Sequence, residues 1–467
     1  MTMRTMRIRR TAAVLMGALL VACGLGPNAS STPALTASPR PTAHPAPTGV
    51  LTSTPAPTPV PTDVTLVRVT ADTLEVRASA DPQAASLGSV LKGELLSVVG
   101  RPKQLVGQTW WHVSVGSLDG WVTEGPPANP QLIDGKGKAS LAFNVWQATT
   151  GEVAAALHKL PPRVYVPNEA SSTVTVIDPT TFTVLATLGV GSLPQHITPA
   201  HDMSALYVDN MNSNLLSVID AASSSITGGI QVPSPYNLYF SLDGKKALVM
   251  AEPLNRIDFY DAATWSLVGS VAIPSPGIDH ADFSAGGRYL LASCEFGGWV
   301  VKVDVVSMQL VSSLEVGGKP IDVKLSPDGM VFYIANQGRA GVSIIDPVSM
   351  SEVGFLPTGQ GAHGMAISRD TRSLYVSNRL DGTISVIDFA SRKVVATWRV
   401  GGSPDMLQVS PDGKQLWTSN RSGATISVID TTTGGVIAEI GVGNGPHGLA
   451  YFPQPGRISL GHNGVYR

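Results

Sequence analysis

Cysteine is nearly absent, with two in 467 residues, too few for a disulfide framework. No C-x-x-C-H occurs, which excludes covalent haem attachment by that motif. Charge is also scarce, at 14% of residues. Of the 32 basic residues, four (Arg4, Arg7, Arg9, Arg10) fall within the first 22 positions, and the remainder sets 28 basic groups against 34 acidic ones. That balance of −6 leaves no electrostatic footprint for nucleic acid. No apolar run reaches the ~20 residues of a spanning helix. A Gly-rich phosphate loop after a strand, a G-x-S-x-G elbow and a helix-borne metal motif are all missing. The chain instead has 43% apolar residues, 48 glycines and 35 prolines, a composition suited to short strands joined by tight turns.

The stretch LYVSNRLDGTISVID (374–388) returns closely as LWTSNRSGATISVID (416–430), with VYVPNEASSTVTVID (164–178) and LYVDNMNSNLLSVID (206–220) upstream. The terminal aspartate recurs at Asp178, Asp220, Asp261, Asp304, Asp346, Asp388 and Asp430, always 41 to 43 residues apart. This period with strand-like patterning predicts an all-β propeller, one four-stranded blade per repeat. In the unit opening at His363, HGMAIS is the innermost strand, SLYVSN the second, TISVID the third and KVVATWRV the outermost. Alternation is strongest in the middle strands, whose apolar faces are expected to pack between blades. The recurrent aspartates are expected to close Asx turns. Asn168, Asn210, Asn336, Asn378 and Asn420 end second strands, where Asn bonds its own backbone or turns left-handed. Cys294 takes that place in one unit and reads as a small buried filler.

Over residues 161–467 these repeats resemble the YVTN (YncE-like) family of β-propellers. The resemblance implies a seven-bladed, secreted or surface protein, mostly without an established chemical activity. Closure follows if HGLAYF (447–452), an innermost strand with no blade after it, completes the unit at 164–190, which lacks one. Two pieces are then left over, ISLGHN (458–463) and FNVWQATTGEVAAAL (143–157). Joined to 447–452 they would make an eighth blade, the alternative to seven.

Ahead of the repeats, residues 1–22 read as a signal segment, basic and then apolar from 12 to 22. It closes on Leu-Val-Ala-Cys, which resembles the bacterial lipobox and implies lipidation of Cys23. Residues 23–62, nearly all Pro, Thr, Ser and Ala, read as a disordered, extended stalk. The membrane, through that lipid, is the first expected partner, and the expected location is extracytoplasmic, on the cell surface or a periplasmic face. Residues 63–126 carry LEVRASAD, KGELLSVVG, WWHVSV and DGWV in short alternating runs. Those pieces resemble the bacterial SH3-like domain, a small β-barrel that recognises cell-wall peptides or acts as a spacer. Trp110, Trp111 and Trp121 are candidates for its groove, although so small a barrel needs at least one of them as core. Residues 127–160 read as a linker or as a degenerate strand pair.

The residues opening the innermost strands converge on one end of a propeller channel, the usual ligand position of such folds. In register these include His196, His280, His363 and His447 with Asp279, Asp322 and Asp405. Histidine and aspartate are ordinary metal ligands and acid/base groups, so a divalent metal or small polar ligand is one reading of this rim. The other is that each imidazole caps its strand by hydrogen bonding. No catalytic residue and no resident cofactor follow from the sequence. A monomeric binding module for envelope polymers or proteins is the primary expectation. The alternative is a propeller enzyme, lactonase-like or redox and metal-dependent, using the rim.

Overall fold

The computed structural model describes residues 65–105, 107–126, 128–135, 143–462 and 464–467. The signal segment, Cys23 and the stalk lie outside them.

Seven four-stranded antiparallel sheets make the blades. Blades 2 to 7 are each built from consecutive strands, at 194–231, 237–272, 278–315, 320–357, 362–399 and 404–441. Blade 1 takes three strands from 163–189 and its innermost one from Ala450–Phe452, which pairs antiparallel with Arg163–Asn168. The ring is therefore closed by the C-terminal part of the chain, with seven blades rather than eight. Residues 143–157 do not form the strand pair: they contain two short 3-10 turns, Gln147–Thr150 and Ala155–Leu157.

Burial departs from the expected alternation in an informative way. Middle strands such as Ser373–Asn378 and Thr383–Asp388 are buried on both faces except at one end residue, because each blade is covered by its neighbours on both sides. Alternation is confined to outer strands such as Lys393–Arg399, which have one wet face. The small polar residues that this burial traps are used as links. Ser293 and Ser377 each donate from Oγ to an innermost-strand carbonyl of the next blade, at Ile321 and Asp405, and Ser419 donates to His447 O just ahead of the closing strand.

The aspartates ending third strands do close Asx turns; Asp388 Oδ1, for example, accepts from Ser391 N at 2.7 Å. The second-strand asparagines are not left-handed: Asn168 has φ −116° and Asn336 −122°. The amides of Asn168, Asn210, Asn378 and Asn420 instead bridge to the third strand, as when Asn378 Nδ2 donates to Thr383 Oγ1 and Ser385 Oγ, both at 3.0 Å, whereas Asn336 Nδ2 donates to Gly317 O. Positive φ falls four residues later, at Ser172, Asn214, Ala340, Gly382 and Ala424. Cys294 is fully buried, and burial pushes its thiol up to about 12.

Residues 65–134 form a separate eight-stranded sheet, to which Leu132–Asp134 adds beside Thr65–Val69, past the boundary at 126 that the sequence suggested. Trp110 is core. Trp111 and Trp121 are partly buried, and Trp121 stacks on His112 with Lys103 over its ring. This sheet docks on the loops of blades 4 and 5. Asp304 Oδ2 accepts from Arg288 Nε at 2.8 Å and from Ser117 N and Oγ at 3.0 Å. Arg68 donates to Asp328 O at 2.6 Å and lies over the Phe143 ring.

Glu94 is buried in this junction, accepting from Ser284 Oγ at 3.1 Å and Arg288 N at 3.4 Å. Burial pushes its carboxyl up to about 7 against these bonds and the field of Lys302. Below pH 4.5 the folded and unfolded chains both hold this proton. Between 4.5 and about 7 the unfolded chain releases it first, so stability falls as pH rises and levels off above 7. The difference is worth about 3 kcal/mol. Thermal melts at pH 5 and pH 8 should show Glu94→Gln with a smaller pH-dependent loss than the native chain.

Candidate functional site

The innermost strands run away from one end of the channel, so their first residues ring its mouth and their last residues ring its foot. The foot is filled. After the closing strand, the chain turns back and inserts residues 458–462 and 464–467 under the blades: Leu460 O accepts from Phe240 N at 2.9 Å and Gly461 bridges to Tyr239. Arg467 Nη2 meets Asp282 Oδ1 at 2.9 Å and its guanidinium lies 3.9 Å from the centre of the Trp146 ring. Trp146 donates to Leu325 O at 2.9 Å and joins Tyr239, Leu460 and Val465 in one buried cluster. The leftover segments 143–150, 458–462 and 464–467 thus meet at the foot as a plug, rather than as an eighth blade.

At the mouth a second ring lies beside the predicted one. It is the residue following each second strand: Glu169, Met211, Glu252, Glu295, Gln337, Arg379 and Arg421. Blades 1, 3 and 4 contribute the acids and blades 6 and 7 the arginines. Asp405 is the centre of the basic half. It pairs with Arg379 Nη2, and lies 2.9 Å from His363 Nδ1 and 3.7 Å from both Arg421 Nη1 and His447 Nε2. The His363 contact has ion-pair distance without hydrogen-bond angles. Arg421 Nη2 reaches Glu169 Oε2 at 2.6 Å, and His447 Nδ1 faces Gln195 Oε1 at 2.9 Å and Glu169 Oε1 at 3.0 Å.

Burial opposes ionisation of Asp405, but Arg379, His363 and His447 overcome it and hold the carboxyl well below its usual range. Burial, then Arg379, lowers His363 to about 4 against the pull of Asp405. Burial raises Glu169 to about 7 despite Arg421, and raises Glu252 to about 7 with help from Glu295 and Glu169. The mouth therefore combines fixed positive charge on one side with carboxyls that readily take up protons on the other. Arg421 is one-third exposed and Arg379 is 18% exposed, so this charge is in reach of a solute.

Four predicted residues, His196, His280, His363 and His447, enter the channel, all buried. Asp405 joins His363 and His447 as a group whose ligand atoms lie within 4.8 Å of one another. Asp279 holds His280 Nδ1. Asp322 is used elsewhere: it pairs with Lys324 Nζ at 3.0 Å and accepts from Met365 N of the next blade at 2.7 Å. Sequence reasoning missed His462, which the plug brings beside His196 and His280 as a second such group. It also missed the Glu/Arg ring, whose signal was the charged residue that follows the second strand in five of the seven repeats.

Among the described residues no helix is long and apolar enough to cross a membrane. None of the curated proteins matches this chain. Among solved structures, a chain of hydrazine synthase from Kuenenia stuttgartiensis is similar at 22% identity and TM-score 0.53, over 60% of this chain and 98% of that one. A functionally unknown protein from Desulfotomaculum acetoxidans is similar at 16% identity and TM-score 0.55, over 62% and 98%. At such identities the likeness is one of fold. The YNCE-like beta-propeller family matches residues 143–455, which takes in every blade, and the chain belongs to that family.

Proposed function

We propose that this is an extracytoplasmic binding protein, tethered by lipid on Cys23, whose channel mouth takes a small polar ligand carrying an anionic group. One observation carries the reading: five blades deliver ionisable side chains to one channel end, where the two arginines remain partly exposed above a buried, ionised Asp405. Arg379 pairs with Asp405 and Arg421 reaches Glu169, whose carboxyl burial raises to about 7, and Arg379 Nε has no hydrogen-bond partner. A carboxylate or phosphate would satisfy both guanidinium groups. The Pro-rich segment would serve as a stalk, and the sheet at 65–134 as an SH3-like module with Trp111 and Trp121 on its recognition side.

The enzyme reading draws on His447, whose Nε2 has no hydrogen-bond partner and could accept a proton. His363 is more constrained, because Arg379 takes its Nε2 and Asp405 stands 2.9 Å from its Nδ1. The serines beside this network, Ser377 and Ser419, donate to the backbone carbonyls of Asp405 and His447, so binding is the better supported of the two.

Native mass spectrometry of the full chain, extracted from its membrane in mild detergent, tests both parts. The expected spectrum has acyl mass that disappears in Cys23→Ser, and a further small-molecule mass released by collisional activation. A non-acylated chain sinks the anchor, and a chain without releasable mass after saturation with small carboxylates and phosphates sinks the ligand.

A further inference from the structure

We propose that His196, His280 and His462, at the inner end of the channel, form a site for one divalent first-row transition metal of the zinc or copper kind. This goes beyond the mouth ligand and does not depend on it. The three imidazoles come from the innermost strands of blades 2 and 4 and from the C-terminal plug, and each offers one ligand atom within 4.8 Å of the others. All three side chains are essentially inaccessible to solvent.

Four of their six ring nitrogens have no hydrogen-bond partner: both of His196, Nε2 of His280 and Nε2 of His462. A buried polar atom left unpaired is costly, and a single metal ion would take three of these four, one from each ring. The other nitrogens are oriented as second-shell bonds orient metal-bound histidines. His280 Nδ1 is held by the Asp279 carboxylate, and His462 Nδ1 stands 3.3 Å from Tyr239 Oη. In the tautomers that donate from Nδ1, both Nε2 lone pairs are free for a metal.

Charge separates this group from its neighbour. The His363–Asp405–His447 group already contains Arg379 and Arg421, which occupy the place a cation would take. Among the described residues no arginine is paired with His196, His280 or His462, and Lys324, the nearby ammonium, is paired to Asp322. Three nitrogen donors suit zinc, copper, nickel or iron and do not suit calcium or magnesium, which require oxygen. Because His462 arrives on the plug, the metal would fasten the C-terminal tail to blades 2 and 4.

The test is metal content and cobalt spectroscopy on the full chain, unfolded and refolded with chelator or with an equimolar metal. Refolding with Zn2+ should give about one zinc per chain and a higher melting temperature than refolding in chelator. Refolding with Co2+ should give the visible bands of a low-symmetry nitrogen-ligated ion. His462→Ala should bind at least ten-fold more weakly, as should the near-isosteric His280→Gln if His462→Ala fails to fold. His201→Ala, whose ring bonds Leu242 O outside the group, should bind as the native chain does. Refolded native protein with neither bound zinc nor cobalt bands overturns the proposal, and so does undiminished binding in the folded His462 or His280 variant.

Discussion

A chain ending at Asn444 is expected to give no soluble folded monomer. It would lose the strand that completes blade 1 together with the plug. The six large side chains Leu449, Tyr451, Phe452, Leu460, Val465 and Tyr466 are all buried. At about 1.5–3 kcal/mol each, their burial amounts to roughly 9–18 kcal/mol as an upper estimate, comparable with the ~5–15 kcal/mol that stabilises a whole domain. The loss would also expose the edge of Arg163–Asn168, an invitation to pair with another chain. Sedimentation and circular dichroism check this. A chain ending at Gln454 separates the two elements: it keeps the closing strand, so it should fold but melt earlier. A monomeric, native-like protein ending at Asn444 would mean that the seven-bladed closure described above does not hold the ring.

Asp405→Ala is expected to cost about 3–5 kcal/mol, the usual penalty for removing one partner from a buried ion pair. The aspartate is fully buried and faces Arg379, Arg421, His363 and His447. Without it, two guanidinium groups would confront each other with no carboxylate between them except Glu169, which Arg421 already holds. Asp405→Ala combined with Arg379→Met should recover much of the loss, because the second change removes the charge left unpaired. Urea denaturation of the single and double variants measures both. A single variant as stable as the native chain would show that this network carries little of the fold.

The blades were legible because their information is local and repeated. A period of 41 to 43 residues ending in Asp388, Asp430 and their equivalents fixes strand order, and HGLAYF without a following blade fixes where the ring closes. The first residues of the innermost strands were legible for the same reason, since register alone takes His196, His280, His363 and His447 to the channel. What escaped was whatever depends on distant, non-repeated chain. His462 lies 182 positions after His280 in a segment with no period of its own, and only threading under blade 3 brings them together. Residues 143–157 shared apolar spacing and a Thr-Thr-Gly turn with 426–440, yet Trp146 satisfies its indole at the foot of the channel, where no strand edge is free to pair. The fate of Asp322 was equally invisible, because Lys324 two residues later and Met365 in the next blade decide it.

The central claim is that the basic half of the mouth binds an anionic group. Its most direct test is calorimetric titration of the full chain, and of Arg421→Gln, with a panel of small carboxylates, phosphates, zwitterions and neutral sugars. Arg421 suits the purpose because it is partly exposed and its loss leaves Asp405 paired with Arg379. Saturable binding of at least one anionic or zwitterionic member is expected, weakened ten-fold or more by Arg421→Gln, with neutral sugars inert. Binding of neutral sugars alone, or anion binding that Arg421→Gln leaves unchanged in a folded protein, would contradict it.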